Sequence, residues 1–87
     1  MIDPTDARRK RLAIRAWRRG IKEMDLILGG YADAELATMD EDGLALFEAV
    51  LGENDHDLFQ WVTGQSEPPA RFGPLMQDLS RRAAGAR

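Results

Sequence analysis

The sequence predicts an all-α protein, a compact bundle of five short helices. Apolar residues recur at the three- and four-residue spacing of helices, and no segment alternates with the period of two that is typical of a strand. Start and stop signals divide the chain into five helical segments. At 87 residues, we expect one domain over residues 1–87, with an ordered core over about residues 6–83 and a frayed tail at 84–87.

The first helix is predicted to begin at Asp3 and Pro4, because aspartate suits the N-cap and proline the first helical position. It is expected to run to about Arg18. Gly20 follows as the natural end signal, since glycine adopts a left-handed backbone without steric cost. The second helix begins at once and carries an inner stripe of Met24, Ile27, Leu28 and Tyr31.

Two glycines, Gly29 and Gly30, stand in the last turns of this second helix. Each weakens a helix by about 1 kcal/mol relative to alanine. We expect this cost unless another helix crosses closely there.

The third helix is predicted to begin at a capping box in which Thr38 is the N-cap and Glu41 reaches back to it. Gly52 ends this helix. Asn54 or Asp55 caps the fourth helix, which Gly64 ends, and a loop follows. The last helix tolerates proline at position 74 only in its first turn. The inner positions of these three helices carry Leu44, Phe47, Val50, Leu51, Leu58, Phe59, Trp61, Val62, Phe72, Leu75, Met76, Leu79 and Ala83.

The charge is unevenly distributed along the chain. Residues 1–22 carry eight basic and two acidic side chains, a net charge of +6, and the remainder carries four basic and thirteen acidic ones, a net charge of −9. The basic face either meets an anionic partner or lies against this protein's own acidic remainder. The run at 8–11 has the charge to hold phosphates, but the second helix carries Glu23, Asp25 and Asp33, which DNA would repel.

Few residues here are suited to catalysis or metal binding. Cysteine is absent, and the single histidine, His56, lies between two aspartates whose side chains would splay around a helix. We therefore predict no catalytic residues, no metal site and no cofactor held by this chain itself. No apolar run approaches the length of a membrane span, and no secretory leader is recognisable.

Residues 19–23, Arg-Gly-Ile-Lys-Glu, join the first two predicted helices. As a hinge, Arg19 complements the negative end of helix 1, Gly20 permits the turn, and Glu23 favours the positive end of helix 2. As a binding surface, Gly20 lets a partner's backbone approach while Arg19 and Glu23 project outward as a donor fork and an acceptor. On the second interpretation, truncation of Arg19 would abolish binding with little loss of stability.

These residues resemble the signature Arg-Gly-x-x-Glu of the succinate dehydrogenase assembly factors, small five-helix proteins that promote covalent attachment of FAD to a flavoprotein subunit. The signature stands here at residues 19–23 and continues as "EMDLIL", with Asp25 two residues after the glutamate. A second block, "DHDLFQWVTG" at residues 55–64, is similar to the family's Asp-Leu-Phe-x-Trp segment. The resemblance covers roughly residues 6–83.

The resemblance implies an assembly chaperone and not an enzyme. Its partner would be the flavoprotein subunit of succinate dehydrogenase, with that of fumarate reductase as a further candidate, and the partner would carry the FAD. Arg19, Gly20 and Glu23 would contact the partner near the flavin, with Asp25 as a second-tier contact. The free protein is expected to be a monomer that binds neither nucleic acid nor membranes.

Two further expectations accompany this resemblance. Some bacterial relatives are described as the antitoxin half of a toxin pair, so an antitoxin-type or nucleic-acid-binding role for the basic first helix is the alternative. Because no transit peptide is recognisable, the bacterial cytoplasm is expected in preference to the mitochondrial matrix.

Overall fold

The helices begin and end largely where the sequence signals place them. The structure, a computed structural model, describes residues 3–85, and within them five α-helices and no strand are present. This confirms the predicted all-α bundle. The helices are α1 (Pro4–Ala16), α2 (Lys22–Glu35), α3 (Glu41–Leu51), α4 (Asp55–Thr63) and α5 (Gly73–Gly85), with single 3₁₀ turns at Leu36–Thr38 and Ala70–Phe72. The expected frayed tail falls partly on α5, which runs to Gly85, and its last two positions lie outside the described residues.

Polar caps fix the starts of α1 and α4 as predicted. The Asp3 carboxylate accepts a hydrogen bond from the Thr5 amide at 2.7 Å, and the Asn54 side chain accepts one from the His56 amide at 2.7 Å. Gly64 ends α4 with a φ of 80°, the left-handed conformation expected there. These bonds satisfy amides that have no partner within their own helix.

The predicted capping box at Thr38 is wrong. The Thr38 hydroxyl donates to the Glu35 carbonyl at 3.0 Å, and Asp40 is the N-cap of α3, its carboxylate accepting from the Gly43 amide at 2.8 Å. The reason lies in Leu36, which is buried and therefore draws the chain after α2 into a 3₁₀ turn that ends at Thr38. Aspartate two residues later is a better N-cap than threonine.

The first helix is shorter than predicted and ends at Ala16, with Trp17 as its C-cap. Gly20 has the expected left-handed φ of 92°, but it lies in the turn and does not cap the helix directly. The amide of Arg19 donates to the Asp25 carboxylate at 2.6 Å, so the chain leaves α1 early to reach a side chain of α2.

Helix α2 lies at the centre of the bundle and packs against α1, α4 and α5. Phe47 is fully buried, as predicted, while Phe59 and Trp61 are half-buried and pack against the core. Tyr31 is half-buried with its ring centroid 5.7 Å from that of Phe47; burial, and then the charges of Asp78 and Glu35, raise the pKa of its hydroxyl. The core residues are Leu12, Ala16, Met24, Leu28, Ala32, Leu36, Leu44, Phe47, Val50, Leu51, Leu58, Val62, Phe72, Leu75, Met76 and Leu79.

The indole of Trp17 packs directly on Gly29. A Cβ built at Gly29 would lie 2.2 Å from Cδ2 of that ring, closer than any real side chain could come. Gly30, next in the chain, has nothing within 4 Å of the same position. The two glycines are therefore unlike: Gly29 lies under a close contact with the residue that caps α1, whereas Gly30 has no such contact.

Alanine at these two adjacent positions is expected to change the free energy of unfolding in opposite directions. Gly30→Ala should raise it by about 0.5–1 kcal/mol, because alanine loses less backbone entropy than glycine in a helix. Gly29→Ala should lower it by about 1–2 kcal/mol, because the cost of overpacking exceeds that gain.

Urea unfolding followed by circular dichroism measures both changes. In a Trp17→Ala background the clash is absent, so Gly29→Ala should become stabilising. If Gly29→Ala stabilises the protein with Trp17 intact, then the packing of the indole on this glycine does not determine the effect.

Candidate functional site

The candidate site is the corner between α1 and α2, defined here as residues 19–25. At its apex Gly20 is exposed, with a φ of 92° and nothing within 4 Å of a built Cβ. A larger residue would be strained by this backbone and would also cover the apex. The corner therefore presents bare backbone to the outside.

The guanidinium of Arg19 turns away from this apex and into the turn between α3 and α4. Its Nε donates to Asp55 Oδ1 at 2.7 Å, Nη2 donates to the Glu53 carbonyl at 2.6 Å, and Nη1 donates to the Leu51 carbonyl. Only 12% of the Arg19 side chain and 17% of the Asp55 side chain are exposed. All three nitrogens of the guanidinium are thus engaged within the bundle.

The expectation that the Arg19 side chain projects outward is therefore wrong. Carbonyls at the C-terminal end of a helix lack intrahelical partners and carry the negative end of its dipole. A planar guanidinium offers five donors in a fixed fork, so one arginine can satisfy such carbonyls and a carboxylate together. The acceptors come from the last residue of α3, from Glu53 in the turn that follows, and from the first residue of α4, and Arg19 lies within reach of all three.

Asp25 holds the corner from the opposite side. Its half-buried carboxylate accepts the Arg19 amide, while its own amide donates to the Ile21 carbonyl at 2.9 Å. Glu23 differs: it is exposed, and within residues 3–85 its carboxylate has no hydrogen bond or ion pair. Of the four predicted contact residues, Gly20 and Glu23 face outward and the other two hold the turn.

Part of the basic face of α1 lies against the protein's own acids. Arg8 pairs with Glu41 at 2.5 Å and with Glu48 at 3.0 Å, and these hydrogen bonds, the first above all, raise the pKa of its guanidinium. Arg9 donates to the carbonyls of Leu36 at 3.0 Å and Met39 at 2.9 Å. Half of the run at residues 8–11 is thereby engaged internally, which weakens the case for phosphate binding by this helix.

The structure gives no support for a catalytic or metal-binding group among the residues it describes. His56 is exposed in the first turn of α4, and no three potential metal ligands converge anywhere in residues 3–85. No helix in that range has the length and apolar character to cross a bilayer.

Asp55 lies outside the corner but holds Arg19, and the sequence does not identify it as a partner of that arginine. The sequence places Asp55 at the start of α4, as an alternative cap to Asn54 and as the first residue of the block at 55–64, and Asn54 is the cap. A signal was nonetheless present, because an acidic residue soon after a glycine-terminated helix lies near the carbonyls that attract an arginine. The pairing spans 36 residues, so local spacing could not reveal it.

Comparison with known proteins identifies the chain's relatives. Residues 10–83 match the Sdh5 family, described as "Flavinator of succinate dehydrogenase". A protein of Cryptococcus neoformans named "Succinate dehydrogenase assembly factor 2, mitochondrial" is 39% identical over 77 residues, which cover 86% of this chain and 44% of that protein.

Proteins of the same name in two other organisms are also similar. The one from Arabidopsis thaliana is 39% identical over 84 residues, covering 85% of this chain and 45% of that protein. The one from Saccharomyces cerevisiae is 39% identical over 61 residues, covering 70% and 38%. The chain spans less than half the length of these relatives.

The names of these relatives bear on two expectations from the sequence, that the protein is not an enzyme and that it is located in the bacterial cytoplasm. The relatives are named as assembly factors and not as enzymes, which confirms the prediction of a non-enzymatic protein. The same names contradict the expected bacterial cytoplasmic location, because the similar proteins are mitochondrial. The absence of a recognisable transit peptide was a poor guide, since such a peptide is no part of the folded domain.

Because Arg19 is tied to Asp55, we expect Arg19→Ala to lower the free energy of unfolding by about 1–3 kcal/mol, the range for a hydrogen-bonded charged group that is mostly buried. Arg19→Lys should recover little, since one ammonium cannot replace a fork that reaches three acceptors. Arg18, its exposed neighbour, provides the matched controls Arg18→Ala and Arg18→Lys, which should change stability little.

Chemical unfolding of Arg19→Ala, Asp55→Asn and the double variant forms a double-mutant cycle. The two effects should be clearly less than additive, because each substitution removes the same contact. Additive effects, or an Arg19→Ala variant as stable as the parent, would mean that the arginine is free of α4 in solution.

Proposed function

The chain belongs to the family of flavinators of succinate dehydrogenase, and we propose that it binds the flavoprotein subunit of that enzyme and promotes covalent attachment of FAD to it. The observation that supports this most directly is the corner itself. It combines an open glycine apex with an exposed carboxylate, on a turn held in place by two buried or half-buried groups.

The corner is suited to insertion into a cleft of another protein. Gly20 allows a partner's backbone to approach the apex closely, and Glu23, three residues further on, offers a carboxylate acceptor that has no partner within residues 3–85. Charge-assisted hydrogen bonds to such a carboxylate are about twice as strong as neutral ones. Because Arg19 and Asp25 already fix the turn, little conformational entropy is lost when the partner binds.

The proposed action is conformational and needs no catalytic group in this chain. A protein that binds one arrangement of the flavoprotein better than another raises the population of that arrangement by its differential affinity. If the favoured arrangement holds FAD beside its acceptor side chain, the effective concentration of the two reacting groups rises. The FAD is then held by the partner, and this chain selects the partner's shape.

The same proposal extends to two expectations from the sequence. The free protein acts as a monomer, since the corner is complete within one chain. The flavoprotein of fumarate reductase is a second candidate client, and the affinity of the parent and the variants for it can be measured in the same way.

The sharpest test is Glu23→Gln, which removes one exposed charge and keeps the side-chain shape. We expect the affinity for the purified apo-flavoprotein subunit to fall by at least about tenfold, with only the small loss of stability that follows removal of a first-turn carboxylate. Asp42→Asn is the matched control: Asp42 is also exposed and is also the second residue of its helix. It should bind as the parent does, and covalent FAD on the subunit, read by fluorescence after denaturation, should follow binding in both variants. Equal binding by the two variants would remove Glu23 from the interface.

A second test separates backbone strain from recognition at the apex. Gly20 and Gly64 both have a left-handed backbone, with φ of 92° and 80°, and both have open space around a built Cβ. Alanine at either position should lower the free energy of unfolding by about 1 kcal/mol. Only Gly20→Ala should weaken capture of the flavoprotein. If Gly64→Ala weakens capture equally, the loss reflects stability and the apex is not a contact.

A further inference from the structure

Three large apolar side chains remain exposed on the described surface. Ile14 is 53% exposed, Trp17 is 40% exposed and Leu26 is 57% exposed, whereas the other large apolar residues of residues 3–85 are buried or half-buried. All three belong to α1, its C-cap or α2. Single exposed apolar residues are ordinary, but a contiguous group on a small domain indicates an interaction surface.

The three residues lie on α1, its C-cap and α2, two helices that pack against each other. The Trp17 ring lies on Gly29, and its indole nitrogen donates to Asp33 at 3.3 Å, so the ring extends along the outer face of α2. Leu26 lies one helical turn before Gly29 on that helix, and Ile14 lies one turn before Trp17 on the other. We refer to Ile14, Trp17 and Leu26 as the apolar strip.

Three exposed basic side chains border this strip, along with two exposed acidic ones, Asp33 beside Trp17 and Glu23 beside Leu26. Arg11 lies one turn before Ile14, Arg18 directly follows Trp17, and Lys22 lies one turn before Leu26. All three are exposed, and none forms an ion pair within residues 3–85, in contrast to Arg8 and Arg15 on the face of α1 that meets Glu48. We refer to Arg11, Arg18 and Lys22 as the basic rim.

The strip is continuous with the corner described above. Glu23 and Leu26 are three residues apart in α2 and therefore lie on neighbouring positions of one helix face. A stable interface usually buries about 800 Å² on each partner, more than a single turn with one glycine and one carboxylate can supply. An apolar centre with a polar rim is the usual arrangement of such a surface.

We propose that the apolar strip and its basic rim are a second part of the docking surface for the flavoprotein subunit, and that they take an acidic segment of it that presents apolar side chains. This inference rests on the proposed function. The apolar side chains of the segment cover the strip, and its carboxylates lie against the rim.

Charge also argues against a second copy of this chain as the occupant. Two identical copies that meet face to face across a two-fold axis would bring the same basic rim of each copy together. Like charges in such an arrangement repel. An acidic segment with apolar side chains can cover the apolar strip and place its carboxylates against the basic rim.

The experiment measures the affinity of the full chain for the purified apo-flavoprotein subunit. Ile14→Glu and Leu26→Glu place a charge on the strip, and each should weaken binding by at least about tenfold while leaving melting unchanged. Ala45→Glu, at an exposed position of α3, is the matched control and should bind as the parent does. Leu26→Met keeps an apolar surface and should retain parental affinity.

A second measurement tests the basic rim. The affinity of the parent should fall as the salt concentration rises, because exposed charges are screened. The Arg11→Glu, Arg18→Glu double variant should bind at least about tenfold more weakly at low salt, and its affinity should no longer fall with salt. An unchanged salt dependence would overturn the assignment of an acidic partner.

The outcomes separate this inference from the proposed function. If the parent chain fails to bind the flavoprotein, both are overturned. If the parent binds and Glu23→Gln weakens it, but Ile14→Glu and Leu26→Glu bind normally, only the strip assignment is overturned. If sedimentation shows the parent to be a dimer that these two variants convert to a monomer, with flavoprotein binding intact, the strip is an interface between copies.

Discussion

The corner between α1 and α2 is held by the hydrogen bonds of the Arg19 guanidinium. This guanidinium reaches from the turn between α1 and α2 to Leu51, Glu53 and Asp55, and so joins the first half of the chain to the second. A chain of 87 residues has a thin core. One side chain that donates to two backbone carbonyls and a carboxylate therefore contributes substantially to holding this end of the bundle together.

The inward direction of Arg19 changes how the motif at residues 19–23 is understood. An arginine and a glutamate flanking a glycine suggest two charges offered to a partner. In the folded chain the arginine stabilises the turn, and Asp25 accepts the arginine's backbone amide from the other side, while Gly20 and Glu23 remain exposed. Loss of binding on mutation of the arginine would therefore reflect the shape of the corner, and stability has to be measured alongside binding.

The sequence was a good guide to whatever is decided within a few residues. Helix ends at Asp3, Asn54 and Gly64 follow from local capping and backbone preferences, and the structure confirms them. Where two local signals competed, as at Thr38 and Asp40, burial of a neighbouring leucine decided the outcome. The direction of Arg19 depends on acceptors more than thirty residues away along the chain, and periodicity carries no information about such contacts. The same limit applied to Arg8, whose carboxylate partners lie on another helix.

The contact between Trp17 and Gly29 has a consequence for the history of the family. The indole occupies the space that a side chain at position 29 would need, so the two positions share a single volume. That volume can be filled from either helix, by a bulky residue at one position and a small one at the other. Selection then acts on the combined volume of the two side chains and not on either residue alone. Substitutions at these two sites are therefore expected to become fixed in compensating pairs as lineages diverge.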